Sequence, residues 1–415
     1  MRALQTLKFG QLPIEIIDGD RGKNYPKKSD FQTEGIPFLN SAAIHEGRID
    51  FRLSNYITED KYEMIKKGRV YKDDIILTTR GNGIGKVALF VTTKDYQEAL
   101  INAQMLVVRT LTGKFDPDYL FYLIKSPIFQ TQVTNFASGS AQPQLPIRDL
   151  KDIPVSVLKY QEQVLVGKTL REYDNLIENN NRRIAILEDM AQSLYREWFV
   201  HFRFPSHEKC QFKDSELGQI PEGWEVKKIK DFGEVITGKT PSKKNKEYYD
   251  KPEFSFIKTP DMHNGIFVLD TMDKLSIKGA ESQKIKTLPV GSISVSCIGT
   301  AGVVSINATP AQTNQQINSI VLYEERDREY LYFSLLSLKQ TIINYGSTGA
   351  TMTNLSKGKF ENLEVLYPTD VIVEEFSLLV KSIFKMVLNL MKKNNNLKNQ
   401  RDMLLPKLIS GKIEV

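Results

Sequence analysis

The feature that most constrains this chain is that its sequence is written twice. Phe38-Leu39-Asn40 through His45-Glu46-Gly47 returns as Phe256-Ile257-Lys258 through His263-Asn264-Gly265, with Phe, His and Gly at one constant offset. The same offset carries 72–81 (KDDIILTTRG) onto 290–299 (VGSISVSCIG). Further on, Ile101-Asn102-Ala103-Gln104 answers to Thr313-Asn314-Gln315-Gln316, Tyr119-Leu120 to Tyr330-Leu331, and Ser138-Gly139 to Thr348-Gly349. The offset drifts by a few residues, as loop insertions would make it do. A unit of about 200 residues used only twice is too long for a solenoid repeat. It is a duplicated domain, which implies two similar tasks performed at two places.

Each half divides again. Residues 1–157 are rich in Gly, Pro, Thr, Asn and short β-branched runs, which predicts a mostly β domain with a few helices, among them Pro117 to Thr131. From Lys159 to Phe199 the texture changes: no Pro, one Gly, and apolar residues at helical spacing. Val166, Leu170, Tyr173, Ile177, Asn180, Ile184, Leu187, Ala191, Leu194 and Trp198 advance by alternating steps of four and three. A period of 3.5 rather than 3.6 marks a coiled-coil seam, interrupted by Asn180. About 40 residues at 1.5 Å rise give a rod on the order of 60 Å long.

The second half repeats the plan. After a β-like region from Trp224 to Pro368, a helical segment from Val371 to Leu408 carries the seam Val380, Ile383, Val387, Leu390, Asn394, Leu397, Arg401, Leu404 and Leu408. Asn180 and Asn394 each lie in a triple Asn. A seam Asn costs stability but fixes register. Two arrangements fit: independent amphipathic helices packing on their own domains, or one antiparallel coiled coil with Asn180 facing Asn394. The second predicts Leu187 near Val387, Ala191 near Ile383 and Val166 near Leu408. Between the halves, 204–223 is polar and rich in Pro and Gly, which reads as a linker.

Composition bounds the chemistry. With 415 residues, 41% apolar and 26% charged, the chain is expected to be soluble and to form two to four domains. No apolar run approaches the ~20 residues needed to cross a bilayer, and no signal peptide is read at Met1, so no membrane partner is expected. Cys210 and Cys297 lack CxxC partners, which argues against a disulfide framework or thiolate metal site and points to a reducing cytoplasm. A net charge of +6 suits a nucleic-acid partner without requiring one.

Signs of catalysis are nearly absent. The four histidines have no metal-binding spacing, and no GxSxG elbow occurs. Gly81-Asn82-Gly83-Ile84-Gly85-Lys86 fails as a phosphate loop, because its glycine spacing is one residue short and Val87 stands where Ser or Thr would hold Mg²⁺. No Asn/Asp-Pro-Pro-aromatic tetrapeptide, the amino-methyltransferase signature, is present, so the chain is expected to be no enzyme and to bind no metal or cofactor.

What remains is binding. Polar residues gather in matching Gly-rich loops: Arg21, Lys23, Asn24, Lys27 and Lys28, with Lys239, Lys243 and Lys244 in the second copy. The turns add Arg80, Asn82 and Lys86 in the first copy and Thr300 in the second. A further loop pair offers Gln142 and Gln144, then Thr351 and Asn354. Lys and Arg neutralise phosphates, while Asn, Gln and Arg read base edges bidentately. The framework residues Phe38/Phe256, Gly47/Gly265, Gly81/Gly299 and Tyr119/Tyr330 match while the loop chemistry differs, the pattern expected of two readers of different DNA sequences.

The junction 197–205 (EWFVHFRFP) followed by 217–224 (LGQIPEGW) resembles that of specificity subunits of type I restriction–modification systems, and 404–413 (LLPKLISGKI) resembles the end of their second conserved region. The resemblance covers the whole chain. It implies an α+β fold with pseudo-twofold symmetry: two mixed, mostly β target-recognition domains (1–157 and 224–369), separated by two long helices (158–203 and 370–415) that form an antiparallel coiled coil, with a linker at 204–223. It implies a non-catalytic, cytoplasmic subunit in which each domain reads half of a bipartite double-stranded DNA target. Two methylation subunits, which bind S-adenosylmethionine, would dock on it, and restriction subunits using ATP would join them. The alternatives are a similar module in another DNA-modification or phage-exclusion complex, or a coiled-coil scaffold with no DNA role.

Overall fold

The computed structural model describes residues 4–137, 143–215, 218–346 and 354–414. The chain forms two compact units, 1–177 with 396–415, and 178–395. The division therefore passes through both long helices, just before the first triple Asn and within the second.

The first unit is built around a four-stranded antiparallel sheet in the order Ile14–Asp18, Met105–Thr110, Ile75–Thr78, Val87–Leu89. Every residue of Ile75–Thr78 is buried, because the strand is covered on both faces. Its two sets of side chains feed different clusters: Ile75 and Leu77 join the large core, while Ile76 joins a smaller one with Val107 and Phe90. A second sheet pairs Leu100-Ile101 parallel with Phe38-Leu39, the latter inside strand Ile36–Leu39. The amino-terminal strand Gln5–Lys8 closes the unit by pairing antiparallel with Pro154–Val157.

The helix expected over Pro117–Thr131 is two helices, Pro117–Lys125 and Pro127–Phe136. The break is local chemistry. Pro127 has no N–H to continue the first helix and forces Ser126 into an extended conformation. From there the Ser126 hydroxyl caps the Phe129 amide at 3.3 Å.

The second unit repeats this plan. Strands Gly233–Thr237, Ile317–Leu322, Ile293–Ser296 and Val304–Asn307 form the sheet, extended by Phe267–Val268. Phe254–Ile257 pairs parallel with Ala311–Thr313, and Glu225–Lys228 closes against Glu364–Tyr367. The segment expected as a linker, 204–223, is folded. It holds the hairpin Phe212–Ser215/Gly218–Pro221, and Phe204 and Ile220 are buried in the same core as Trp224 and Phe199.

The long helices run over Tyr160–Tyr195 and Asp370–Ile409. The first ends in a wider π-type turn, Arg196–Val200, then at Phe202 in the left-handed region (φ 56°). Edge-to-face packing of the Phe202 ring against Trp224, 5.4 Å between centroids, offsets that strained backbone. Within each unit the two helical segments lie antiparallel in the predicted register. In the first, Val166 and Leu170 share a cluster with Leu405 and Leu408. In the second, Ala191 and Val387 share the core, with Leu187 and Ile383 packed on it. The Asn180 amide donates to Asn394 Oδ1 at 2.8 Å, and Asn394 donates in turn to Asn181 Oδ1 at 2.8 Å. No predicted seam residue is exposed.

Candidate nucleic-acid interface

In the first unit, strands Ile75–Thr78 and Val87–Leu89 are joined by the glycine-rich turn. Thr78 and Lys86 pair through the Thr78 amide at 2.9 Å, and the Gly85 amide returns to the Thr78 carbonyl at 2.9 Å. Gly81 (φ 76°) and Gly85 (φ 84°) occupy the left-handed region, and a Cβ on Gly85 would meet Gln130 Oε1 at 2.6 Å. Two further segments lean on this turn. The Thr79 amide donates to the Gln104 carbonyl at 2.8 Å, and the Leu145 amide to the Thr79 carbonyl at 2.9 Å, which places Arg80 opposite Gln144 in an isolated β-bridge.

These contacts line an open cleft of about 640 Å³. Of the residues singled out in the sequence, Arg21, Arg80, Asn82 and Gln144 line it together, joined by Ser41, Ala103 and Gln104. Among the described residues no carboxylate lines it. Arg21 is held by Asp18 at 3.0 Å and by the Ala103 carbonyl at 3.2 Å. Arg80 is half-buried, and its guanidinium has no hydrogen-bond or ion-pair partner among the described residues. The arrangement offers amide and guanidinium groups with free hydrogen-bonding capacity in a positive, carboxylate-free groove, the chemistry of a base-edge or phosphate contact.

Other sequence candidates lie elsewhere. Asn24 spends its amide on the Met64 carbonyl at 3.1 Å, and the Lys86 ammonium donates to the Ser41 carbonyl at 3.0 Å. Lys23, Lys27 and Lys28 are exposed and do not line the cleft. Gln142 and Thr351 lie outside the described residues. Gln104 was absent from the sequence candidates, although the repeat Asn102–Gln104/Asn314–Gln316 pointed at it.

The second unit holds the same backbone frame with other side chains. The Cys297 amide donates to the Gln316 carbonyl at 2.8 Å, the Leu355 amide to the Cys297 carbonyl at 3.0 Å, and Ile298 stands opposite Asn354 in the matching bridge. Gly299 (φ 77°) and Gly302 (φ 80°) shape the turn, and Thr300 is exposed at its tip. Beneath it, burial pushes the Cys297 thiol up to about 11, against a weaker opposing hydrogen bond from Asn318. Lys239 and Lys244 are exposed. A smaller cleft of about 320 Å³ gathers Lys243 with Lys246, Tyr249 and the Lys258–Asp273 ion pair. No group of three or more His, Cys, Asp or Glu among the described residues could hold a metal ion, and no described helix is long and apolar enough to cross a membrane.

One frame used twice, with polar tips that differ and segments of both long helices in each unit, defines a protein of two duplicated domains. Comparison with known proteins supplies the family. The family model described as "Type I restriction modification DNA specificity domain" matches the chain twice, at residues 14–189 and 221–401. The chain is 30% identical to the type I restriction enzyme HindI specificity subunit of Haemophilus influenzae, over 95% of this chain and 98% of that protein. It is 27% identical to the MjaIX specificity subunit of Methanocaldococcus jannaschii, over 84% and 79% of the two chains. A crystal structure of a type I restriction–modification system S subunit from M. genitalium has the same fold, with a TM-score of 0.60 at 16% identity over 98% of this chain and 96% of that one. The chain belongs to the type I restriction–modification DNA specificity family.

Proposed function

We propose that this chain is the DNA-reading subunit of a type I restriction–modification complex, with residues 1–157 and 224–369 each reading one half of a bipartite double-stranded target. The observation that carries this reading is the frame repeated at Thr79–Gln104–Gln144 and Cys297–Gln316–Asn354, whose backbone bonds match and which keeps Gln104 as Gln316 while Thr79-Arg80 becomes Cys297-Ile298 and Gln144 becomes Asn354. Exposed lysines beside each frame supply sequence-independent attraction to phosphate. The chain itself is non-catalytic. Methylation is performed by two partner subunits carrying S-adenosylmethionine, docked on the helical regions 158–203 and 370–415, and cleavage by ATP-using restriction subunits, all in the cytoplasm with the DNA. Antiparallel helices present two equivalent surfaces, which is how one asymmetric chain recruits two identical partners.

Exchanging residues 1–157 for another such domain tests the reading. Methylome sequencing of the host should show one changed half-site and one unchanged. A change in both halves, or in neither, would refute it. Inserting seven residues in phase in both helices should lengthen the spacer and leave both half-sites alone, because a heptad preserves the seam. An unchanged spacer would show that helix length does not set it.

A further inference from the structure

Arg80 stands at a framework position where the two copies differ sharply in chemistry, a guanidinium in one and an aliphatic side chain in the other. Its backbone is fixed by the Thr79–Gln104 and Leu145–Thr79 bonds, and its counterpart Ile298 is fixed by the Cys297–Gln316 and Leu355–Cys297 bonds. Each faces an amide residue across an isolated bridge, Gln144 in one copy and Asn354 in the other. Gln104 is kept as Gln316, whereas Arg80 becomes Ile298. The guanidinium is half-buried in a cleft without carboxylates and has no partner among the described residues, so its donors face the cleft unspent.

An unspent guanidinium of this kind takes an acceptor pair on nucleic acid, either phosphate oxygens or the O6/N7 edge of guanine. The duplication discriminates between them. A phosphate contact positions the duplex regardless of sequence and is needed equally by both readers, whereas a base contact is what two readers of different sequences must change. The replacement of Arg80 by an aliphatic side chain on an unchanged backbone is a change of the second kind. Exposed Lys23, Lys27 and Lys28 already offer phosphate contacts outside the cleft.

We infer that Arg80 is a specificity-determining residue that reads guanine in the half-site recognised by residues 1–157, and that Ile298 leaves the corresponding position of the other half-site without guanine selection. This rests on the proposed DNA-reading function, and the exchange of residues 1–157 reports on that function separately. The test is methylome sequencing of a host carrying the full complex with Arg80→Ile, and in parallel with Ile298→Arg. Arg80→Ile should relax one G·C pair in one half-site, losing about 5- to 150-fold of discrimination there, with the other half intact. Ile298→Arg should add guanine selection to the opposite half-site, which keeps the inference testable should Arg80→Ile abolish methylation. A phosphate role gives a different result: Arg80→Ile weakens all sites alike, keeps the consensus, and lowers the salt slope of DNA binding by about one. That outcome overturns the inference, as does an unaltered consensus in both variants.

Discussion

Replacing Arg401 by Met exposes the cost of one buried charge. Arg401 occupies a seam position of the second helix, and its guanidinium pairs with Asp174 on the first, each side chain only 9% exposed. Asp174 also accepts the Tyr122 hydroxyl at 2.5 Å, and its backbone carbonyl accepts from Arg48 at 2.6 Å. Burial alone would push the Asp174 carboxyl up. Lys125, Arg401 and the Tyr122 hydrogen bond together outweigh it and hold the group below the ordinary carboxylate range. Removing one partner of a buried pair costs roughly 3–5 kcal/mol. Lys125 and Arg48 remain nearby, so the lower end applies, about 3 kcal/mol. For a unit of this size that is a fall of roughly 6–12 °C in Tm by calorimetry.

The pH dependence has a definite sign. In the wild type the depressed Asp174 value contributes stability above its unfolded value near ~3.9, lost as pH falls through the folded value. In Arg401→Met one of the groups that hold the carboxyl down is gone, so its folded value rises from the wild-type one, and the deficit is largest near neutrality and shrinks as pH falls through that raised value. The double variant Asp174→Leu/Arg401→Met removes both charges of the pair but leaves Lys125 and Arg48 without their shared carboxylate, so it should recover only part of the loss. A Tm within about 2 °C of wild type, or a deficit unchanged as pH is lowered from neutrality through the carboxylate range, would refute the network as the fastening of the first unit to its helices.

The Asn180→Leu/Asn394→Leu double variant should melt higher, by roughly 1–3 kcal/mol of unfolding free energy, because two leucines bury where three amides now share bonds. Melting below wild type would show that the pairing does more than fix register. Iodoacetamide at pH 8 should label half-buried Cys210 on the native chain and spare Cys297, which is buried with its thiol pushed up to about 11. Labelling of both at equal rates before unfolding would contradict the burial that defines the turn above Cys297.

What could be read from the sequence is what repeats locally. The 3.5-residue step placed both seams and named the Asn180–Asn394 pair, since periodicity needs no knowledge of distant chain. The Ser126-Pro127 break was also legible, as a capping residue followed by Pro, but the apolar run around it masked the signal. The segment 204–223 misled for the opposite reason. Its average composition is polar, yet a few residues, Phe204 and Ile220 with Trp224 beyond them, decide where it packs. In the candidate interface, side-chain type alone did not separate Arg21, Arg80, Asn82 and Gln144, which line one cleft, from Asn24 and Lys86, whose donors are spent on Met64 and Ser41. That distinction depends on where carbonyls from other segments arrive.

The same limit hid Asp174. It lies one residue off the seam, and nothing at helical spacing nominates it. Its partners Arg48, Tyr122 and Arg401 come from three distant stretches. The duplication nevertheless carried a trace of it: the offset that equates Tyr119 with Tyr330 equates Tyr122 with Phe333. Phe333 has no hydroxyl, and around it the second unit puts rings, Tyr195 at 5.5 Å and Phe384 at 5.9 Å between centroids. One copy therefore meets its helices through a buried ion pair and the other through packed aromatic rings. The two copies have thus diverged in how they are fastened as well as in what their tips present.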